Sequence, residues 1–456
     1  MSKESLNLTK NPIGHLFIKI AIPSSVGTIF MTLYNVVDTY FAGKISPEAL
    51  SALSKSFPIY FVIIATSIGV TVAGTALIGN SIGENNKKNI LYYFANLIIY
   101  SFVISIIISI LGLSLAEKIF VLMKSSQEVV NYGLQYTNII YAGSLIFILV
   151  VALNSLLHAQ GDTKTYRNVL VLSFLLNIIL NPLLIFGFLF IPALGVAGIG
   201  YATIICQLIS LLIILYKVLK NPMIKQITFK YFRPKFFYLK NIFFQSMPIS
   251  IAICGYSIAA AIIFTYVGSF GEYATAGYGA ATRIEQVVLL PILGINTALI
   301  SIISQNYGAK NFDRIIETYH VALRYSFYIM LISGFIIYIT ADLVPLLFSN
   351  DTQVIDYSSR YLKISAFVLP AYPFFFLSNG FFMALKKSEN AMLNNIVRNV
   401  AVPIIVFYIA RYLSADYNSF FWLWVVFQWT ISIALLLIVK FYLTNRLYKS
   451  RAIINP

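Results

Sequence analysis

The amino-acid sequence predicts an all-α polytopic membrane protein with twelve transmembrane helices in two six-helix bundles. The first observation is composition, since 59% of the 456 residues are hydrophobic and only 11% are charged, whereas soluble domains carry about 25% charged residues. The second is a series of apolar stretches of about 20 residues, the length that crosses a bilayer. The third is an internal repeat, which divides the chain into two similar halves.

The apolar stretches follow one another with short polar connections, so no soluble domain fits between them. The twelve predicted spans cover residues 16–42, 52–78, 90–115, 134–157, 168–190, 195–216, 242–267, 276–304, 320–347, 362–385, 392–411 and 419–441. The first stretch is too long for the core of a signal peptide, and no small-residue cleavage site follows it. We therefore expect it to remain as the first span.

The basic residues are concentrated in every second connection between spans, that is, on one side of the membrane. This distribution predicts the topology. Lys and Arg number 32 against 16 Asp and Glu, a net charge of +16. The connection between spans six and seven contains Lys217, Lys220, Lys225, Lys230, Arg233, Lys235 and Lys240, and further basic residues on the same side are Lys386, Lys387, Arg398, Arg446, Lys449 and Arg451. Because cytoplasmic connections are rich in Lys and Arg, we expect a multi-pass cell-membrane protein with both termini cytoplasmic. The charge also suits anionic lipid, so we expect no nucleic-acid partner.

The repeat is visible as identical residues at one offset of 225 positions. The pairs are Pro23 and Pro248, Gly43 and Gly268, Ala49 and Ala274, Gly83 and Gly308, Asn154 and Asn379, and Ala159 and Ala384. Halves of six spans enter the membrane in the same orientation, which predicts a pseudo-two-fold axis along the membrane normal. The predicted domains are an N-terminal lobe (1–216), a basic cytoplasmic linker (217–241) and a C-terminal lobe (242–456). This arrangement favours a monomeric alternating-access transporter over a channel, for which a ring of charges or carbonyls is expected.

Asp38 is the acidic residue within the predicted spans that most needs an explanation. A carboxylate at such a depth costs about 3 kcal/mol on insertion scales. No Lys or Arg stands three or four residues away from it, and the polar residues at these distances are Tyr34 and Asn35. Loss of hydration favours the neutral form of an isolated carboxylate, so Asp38 is a candidate to take up H⁺ or to hold Na⁺. The alternative is a buried Asp that another helix satisfies by hydrogen bonds.

Spans five and six supply further oxygen and amide ligands. Asn177 and Asn181 stand four residues apart and share one helix face, and Pro182 removes a backbone hydrogen bond next to them. Thr203 lies in span six. A bent helix that offers a free carbonyl beside amides is a candidate cation site. Alternatively, each Asn serves only in helix–helix contact.

The remaining candidates are residues for a substrate cleft. Arg283 and Glu285 stand two residues apart, so they face different sides of a helix and need separate partners. Aromatic faces in a cleft suit flat or cationic compounds. The cleft candidates are Tyr34, Asn35, Tyr40, Phe61, Asn154, Tyr256, Phe264, Arg283, Glu285 and Phe376. The sequence shows no paired acids, Cys–His pair or metal motif, so we expect no enzyme and no cofactor beyond the coupling ion.

Several motifs resemble those of the multidrug and toxic compound extrusion (MATE) family. They are Asn35-Val36-Val37-Asp38-Thr39 after Ala21-Ile22-Pro23, the run from Asn177 to Gly187, Gly195-Val196-Ala197-Gly198 with Ala202-Thr203, and Arg283-Ile284-Glu285-Gln286 with Pro291. The resemblance covers the whole chain. It implies a 6+6 antiporter that exports organic cations against a flow of H⁺ or Na⁺.

Within the family, the chain resembles the branch named for DNA-damage-inducible (DinF-like) proteins. That resemblance implies an ion-coupling site in the N-terminal half, at Asp38, Asn177, Asn181 and Thr203, with Asp38, Asn177 and Thr203 as the Na⁺ ligands if the ion is Na⁺. The branch often has Asp at the position of Asn181, so this chain lacks one negative charge, which favours H⁺ over Na⁺. Acids used by the other branch, in spans seven and ten, are absent from 251–267 and 364–385.

Two other functions remain open from the sequence. One is a flippase for a lipid-linked precursor, which related superfamilies build on a similar architecture. A flippase is expected to need a cationic cavity for pyrophosphate, and Arg283 is the one basic residue predicted at mid-span. The other is an exporter of an endogenous metabolite.

Overall fold

The computed structural model describes residues 6–189 and 192–447, and the regular elements in these ranges are helical. The α-helices are α1 (Ile13–Ile45), α2 (Pro47–Gly83), α3 (Lys87–Leu122), α4 (Gln127–Ala142), α5 (Ser144–Ala159), α6 (Lys164–Phe186), α7 (Val196–Leu219), α8 (Phe236–Gly268), α9 (Glu272–Val288), α10 (Leu290–Gly308), α11 (Phe312–Thr340), α12 (Thr352–Ser365), α13 (Tyr372–Ala384), α14 (Ser388–Ile396), α15 (Val402–Tyr412) and α16 (Tyr417–Tyr442). A π-helical turn, Val397–Ala401, joins α14 to α15. Lys449 and Arg451 of the basic tail lie outside the described residues.

The prediction of an all-α protein with twelve spans is confirmed. Eleven helical segments of the described chain are long and apolar enough to cross a membrane, and a twelfth is obtained when α4 and α5 count as one bent span. The helix pairs α9–α10, α12–α13 and α14–α15 each form one such segment. Side chains on the outside of the helices are apolar, for example Ile110, Phe335 and Phe441, as expected of surfaces that face lipid.

Most predicted span ends differ from the structure by several residues, and three spans differ in how they bend or end. The fourth span is two helices that meet at 44° at Gly143. A Cβ at this glycine would lie 2.0 Å from Cδ1 of Ile204, so the junction is closely packed. The fifth span ends at Phe186, before Gly187 at φ 78°; position 190 lies outside the described residues. The ninth ends at Thr340, and a separate 3₁₀ turn covers Val344–Leu347.

The helices form two compact units, each with its own buried apolar core. One unit is Val26–Ser250, and the other combines the described residues up to Ser25 with those from Ile251 onward. The unit boundaries therefore fall inside α1 and inside α8. The lobes predicted from the sequence, 1–216 and 242–456, divide the chain elsewhere, and their role as functional domains stays a prediction.

The internal repeat extends to the helix boundaries and to the turns. The segment Glu272–Gly308 is the counterpart of α2, and both of its ends are displaced by the same 225 positions as Pro23 and Pro248. Asn85 and Lys310 share a positive φ at this offset, and so do Gly161 and Lys386. Positive φ is uncommon outside glycine, so its recurrence in equivalent turns indicates a duplicated backbone and not only shared composition.

Candidate functional site

Asp38 lies at the centre of a buried polar cluster in the Val26–Ser250 unit. Its carboxylate is 4% exposed. Oδ1 accepts hydrogen bonds from Nδ2 of Asn177 and from Nδ2 of Asn181, each at 2.9 Å. Oδ2 accepts one from the Thr203 hydroxyl at 3.3 Å. The structure thus brings together the four residues predicted to couple ions, and their role in coupling stays a prediction.

Three helices contribute one face each to this cluster. Asn177 and Asn181 are successive turns of α6, and Nδ2 of Asn181 also donates to Oδ1 of Asn177 at 3.1 Å. Pro182 lies inside α6 without ending it, so the Ile178 carbonyl loses its usual helical donor. Thr203 lies on α7, which approaches α6 most closely at Gly198, where a Cβ would lie 2.7 Å from the Leu184 backbone.

This close approach gives a first prediction. We expect Gly198→Ala to lower stability by about 1–3 kcal/mol, because an added methyl group must push α7 away from the α6 backbone. Thermal unfolding of the purified protein in detergent measures the effect. Gly279→Ala, in α9 with nothing within 4 Å of the added Cβ, is the matched control and should be neutral or stabilising. Equal midpoints for the two variants would contradict this account of the helix contact.

The cluster as it stands stabilises an ionised carboxylate by hydrogen bonds alone, since Asp38 accepts three of them. One buried oxygen beside it, Oδ1 of Asn181, has no hydrogen-bond partner among the described residues. An unpaired buried acceptor is unfavourable, and a proton on Asp38 or a bound cation would supply what it lacks. Na⁺ would require oxygen ligands, so the amides of Asn177 and Asn181 would have to turn their oxygens inward. A proton requires no such change of Asn177.

The structure adds residues that the sequence argument missed. Tyr60 and Tyr136 meet at 5.9 Å between ring centroids, close enough to Asp38 for electrostatic interaction. Tyr34 lies next to Cys206 and Thr203. The internal repeat could have indicated these two tyrosines from the sequence. Tyr60 is the counterpart, 225 positions earlier, of Glu285, and Tyr136 is the counterpart of Tyr361.

The other cleft candidates in the first unit lie apart from the Asp38 hydrogen bonds. Asn35 is exposed and donates to the Met31 carbonyl of its own helix. Tyr40 is 58% exposed, with the Lys44 ammonium 5.4 Å from its ring. Phe61 is half-buried against Phe57. Asn154 is buried with its Nδ2 3.0 Å from Nε2 of His158.

Glu285 belongs to a second polar cluster, in the unit that begins again at Ile251. Its two oxygens accept hydrogen bonds from the hydroxyls of Tyr361, at 2.5 Å, and Tyr372, at 2.6 Å. The expectation that Glu285 needs partners from other helices agrees with these contacts. Arg283 is exposed on the opposite face of α9. Phe264 packs edge-on against Tyr278, and Tyr256 lies beside Arg398.

Arg398 was counted among the basic residues of the cytoplasmic connections, although the predicted span 392–411 contains it, and the structure decides for the span. It lies in the π-helical turn within the apolar segment Ser388–Tyr412 and is 6% exposed. Phe376 is one of three aromatic residues around its guanidinium. The charge alone gave the wrong location, because Arg398 follows Lys386 and Lys387 so closely in sequence. Arg283 is therefore not the one basic residue to consider within the spans.

A family model, MatE, matches residues 23–183 and again residues 248–409, more than half of the chain. The chain belongs to the MATE family. The two matches begin at Pro23 and Pro248, the first pair of the internal repeat, so each half of the protein carries the family pattern. MATE proteins are transporters, in agreement with the expectation that this chain is not an enzyme.

Individual MATE relatives extend over nearly the whole chain. The FAD transporter of Shewanella oneidensis is 26% identical over 79% of this chain and 80% of its own length. The multidrug export protein MepA of Staphylococcus haemolyticus is 25% identical over 97% of this chain and 96% of its own. A MOP superfamily transporter from Pyrococcus furiosus, described as having a binding pocket of reverse polarity, superposes with a TM-score of 0.90 at 25% identity, covering 97% of this chain and 99% of that one.

Proposed function

We propose that this MATE transporter is an antiporter that exports organic, cationic or amphipathic compounds by alternating access and is driven by inward flow of H⁺ or Na⁺. The observation that carries the proposal is the Asp38 cluster. Asp38 is a buried carboxylate with no basic partner among the described residues, held by Asn177, Asn181 and Thr203. An intramembrane acid of this kind marks an ion pathway or proton relay.

Coupling requires that the ion and the substrate favour different states of the protein. In the ionised state, three hydrogen bonds join Asp38 on α1 to α6 and α7. A proton on Oδ1 would compete with the two amide donors, and it could be donated to the unpaired oxygen of Asn181 once that amide turns. Protonation therefore changes how α1 is held against α6 and α7. We propose that this change biases the transporter toward one access state, with substrate favouring the other.

The geometry favours H⁺ over Na⁺ as the coupling ion. Both amide nitrogens, and neither amide oxygen, face the carboxylate. A Na⁺ ion would have only the Asp38 charge to balance its own, because the second position, Asn181, is neutral. A proton needs no set of oxygen ligands and neutralises Asp38 directly.

Two relatives bear on the substrate class, and their names favour different classes. The name of the Staphylococcus haemolyticus relative, a multidrug export protein, favours the broad export of amphipathic drugs. The name of the Shewanella oneidensis relative, an FAD transporter, favours export of an endogenous anionic metabolite. The buried charge of Arg398 gives specific support to the second class, and it also removes one argument against a flippase.

Transport by purified protein in vesicles tests the proposed coupling. Vesicles loaded with ethidium, an aromatic cation, or with FAD are given either a pH gradient or a Na⁺ gradient of the same size. We expect the pH gradient to drive uphill movement of at least one compound, and the Na⁺ gradient at equal pH to drive less. Movement of both compounds at the rate of protein-free vesicles under either gradient would contradict coupled export.

A further inference from the structure

Arg398 is a buried cation in the second unit. The proposed ion coupling at Asp38 gives Arg398 no role. It lies in the π-helical turn Val397–Ala401 between α14 and α15. Such turns are rare and are frequent at functional sites. A basic side chain at mid-span is costly and marks a substrate or ion pathway by default.

The contacts of the guanidinium are neutral. Nε donates to Oε1 of Gln428 at 2.7 Å. The guanidinium carbon lies 4.3 Å from the ring centroid of Phe375 and 5.0 Å from that of Tyr372. Phe376 stands at 5.7 Å, and the Tyr256 hydroxyl lies beside the group. No carboxylate of the described residues forms an ion pair with Arg398.

Glu285 is the nearest candidate for a counter-ion, but its oxygens are held by other groups. Tyr361 and Tyr372 each donate a hydroxyl hydrogen bond to it. Tyr372 thus separates the two charges, with its hydroxyl on Glu285 and its ring face on Arg398. Aromatic faces and one neutral amide offset only part of the desolvation of a guanidinium. An anionic ligand would complete the compensation.

The internal repeat supports a functional comparison of the two clusters. Gln428, which holds Arg398, is the counterpart of Thr203, which holds Asp38, at the offset of 225 positions. Each unit thus uses the same helix position to hold its buried charged group, but the charges are opposite. The first unit presents a carboxylate, suited to a cation, and the second presents a guanidinium, suited to an anion.

We propose that Arg398 binds a phosphate or carboxylate group of an aromatic substrate. Gln428 takes Nε, and the Tyr256 hydroxyl is a second hydrogen-bond partner of the guanidinium. The remaining N–H donors belong to a planar group that recognises phosphates and carboxylates. Phe375 and Phe376 provide apolar surface for the rest of the molecule. This inference rests on the proposed gradient-driven export and favours the second of the two substrate classes, organic anions, over organic cations.

Equilibrium binding without any gradient tests this proposal separately from coupling. The probes are FAD, which carries two phosphates, and riboflavin, which has the same ring and no phosphate. Wild-type protein in phosphatidylcholine vesicles should bind FAD more tightly than riboflavin. Arg398→Gln should weaken FAD binding by about tenfold to a hundredfold, as expected for loss of hydrogen bonds to a charged group, and should leave riboflavin binding within about twofold.

Controls keep the outcomes distinct. Arg411→Gln removes an exposed charge from the end of α15 and should bind FAD like the wild type. Arg398→Lys keeps the charge without the fork and should fall between the wild type and Arg398→Gln. Unchanged FAD affinity in Arg398→Gln, or equal losses for FAD and riboflavin, would overturn the proposal. Competition by added phosphatidylglycerol that disappears in Arg398→Gln would assign the anion to a lipid headgroup and overturn the substrate assignment.

A coupling failure gives a different pattern. If export does not respond to a gradient while FAD binding still depends on Arg398, the proposed antiport is wrong and the anion site stands. If gradient-driven export depends on Asp38 while FAD affinity is the same with and without Arg398, the proposed anion site is wrong and the proposed antiport stands.

Discussion

Asp38→Asn is expected to abolish gradient-driven export while the protein remains folded. The amide is nearly the same size as the carboxylate and keeps an oxygen that can accept from Asn177 or Thr203. It has no charge to lose or gain, so it cannot take up a proton or attract a cation. Removing a desolvated charge also relieves part of an unfavourable burial, so unfolding of the variant is not expected.

Transport and stability must be measured on the same preparation. In vesicles with an imposed pH gradient, export by Asp38→Asn should fall to the rate of protein-free vesicles. Its thermal midpoint in detergent should equal or exceed that of the wild type. Retention of normal gradient-driven export would remove Asp38 from the coupling role.

Asp342→Asn is the matched control, because it makes the same chemical change outside the spans. Asp342 follows α11 and pairs with Lys363 at 2.9 Å. The Ser359 hydroxyl, with Lys363, holds the pKa of its carboxyl below the usual range. The lowered pKa stabilises the folded protein at pH values above the ordinary pKa of Asp, and this contribution is lost as the pH falls. Because the pair is exposed, the contribution is under about 1 kcal/mol. Export should therefore be unchanged. Equal loss in both variants would indicate a general effect of removing an acid.

Asn181→Asp is expected to make export depend on Na⁺. The change puts a second carboxylate where an amide nitrogen now lies 2.9 Å from Asp38. Two carboxylates at such a distance cannot both be ionised without a cation between them. The site then either retains a proton or binds Na⁺ with two charges to balance it.

The measurement is the rate of export under a fixed pH gradient with Na⁺ or K⁺ as the salt. Wild-type rates should be similar in the two salts, and the variant should be several-fold faster in Na⁺. Asn181→Leu, which removes the donor without adding charge, should show no preference for Na⁺. Equal export rates of Asn181→Asp in Na⁺ and in K⁺ would contradict the view that the charge at this position selects the ion.

Part of the site follows from local patterns in the sequence. Asn177 and Asn181 were predicted as a pair because four residues make about one helical turn, a local property of the chain. Their contact with Asp38, 139 and 143 positions away in sequence, was suggested by family resemblance and not by spacing. Arg398 was misplaced because a charge count treats every basic residue near a connection as exposed.

The sequence by itself determined the number of spans, the repeat and the presence of an acid within a span. These follow from local rules, since about 20 apolar residues cross a bilayer and duplication leaves an offset in the chain. Only the tertiary structure decided which buried charges have partners. Asp38 obtains three donors from two other helices, whereas Arg398 obtains aromatic faces and one amide. The partners of a buried charge depend on side-chain packing between helices, which no local pattern in the sequence encodes.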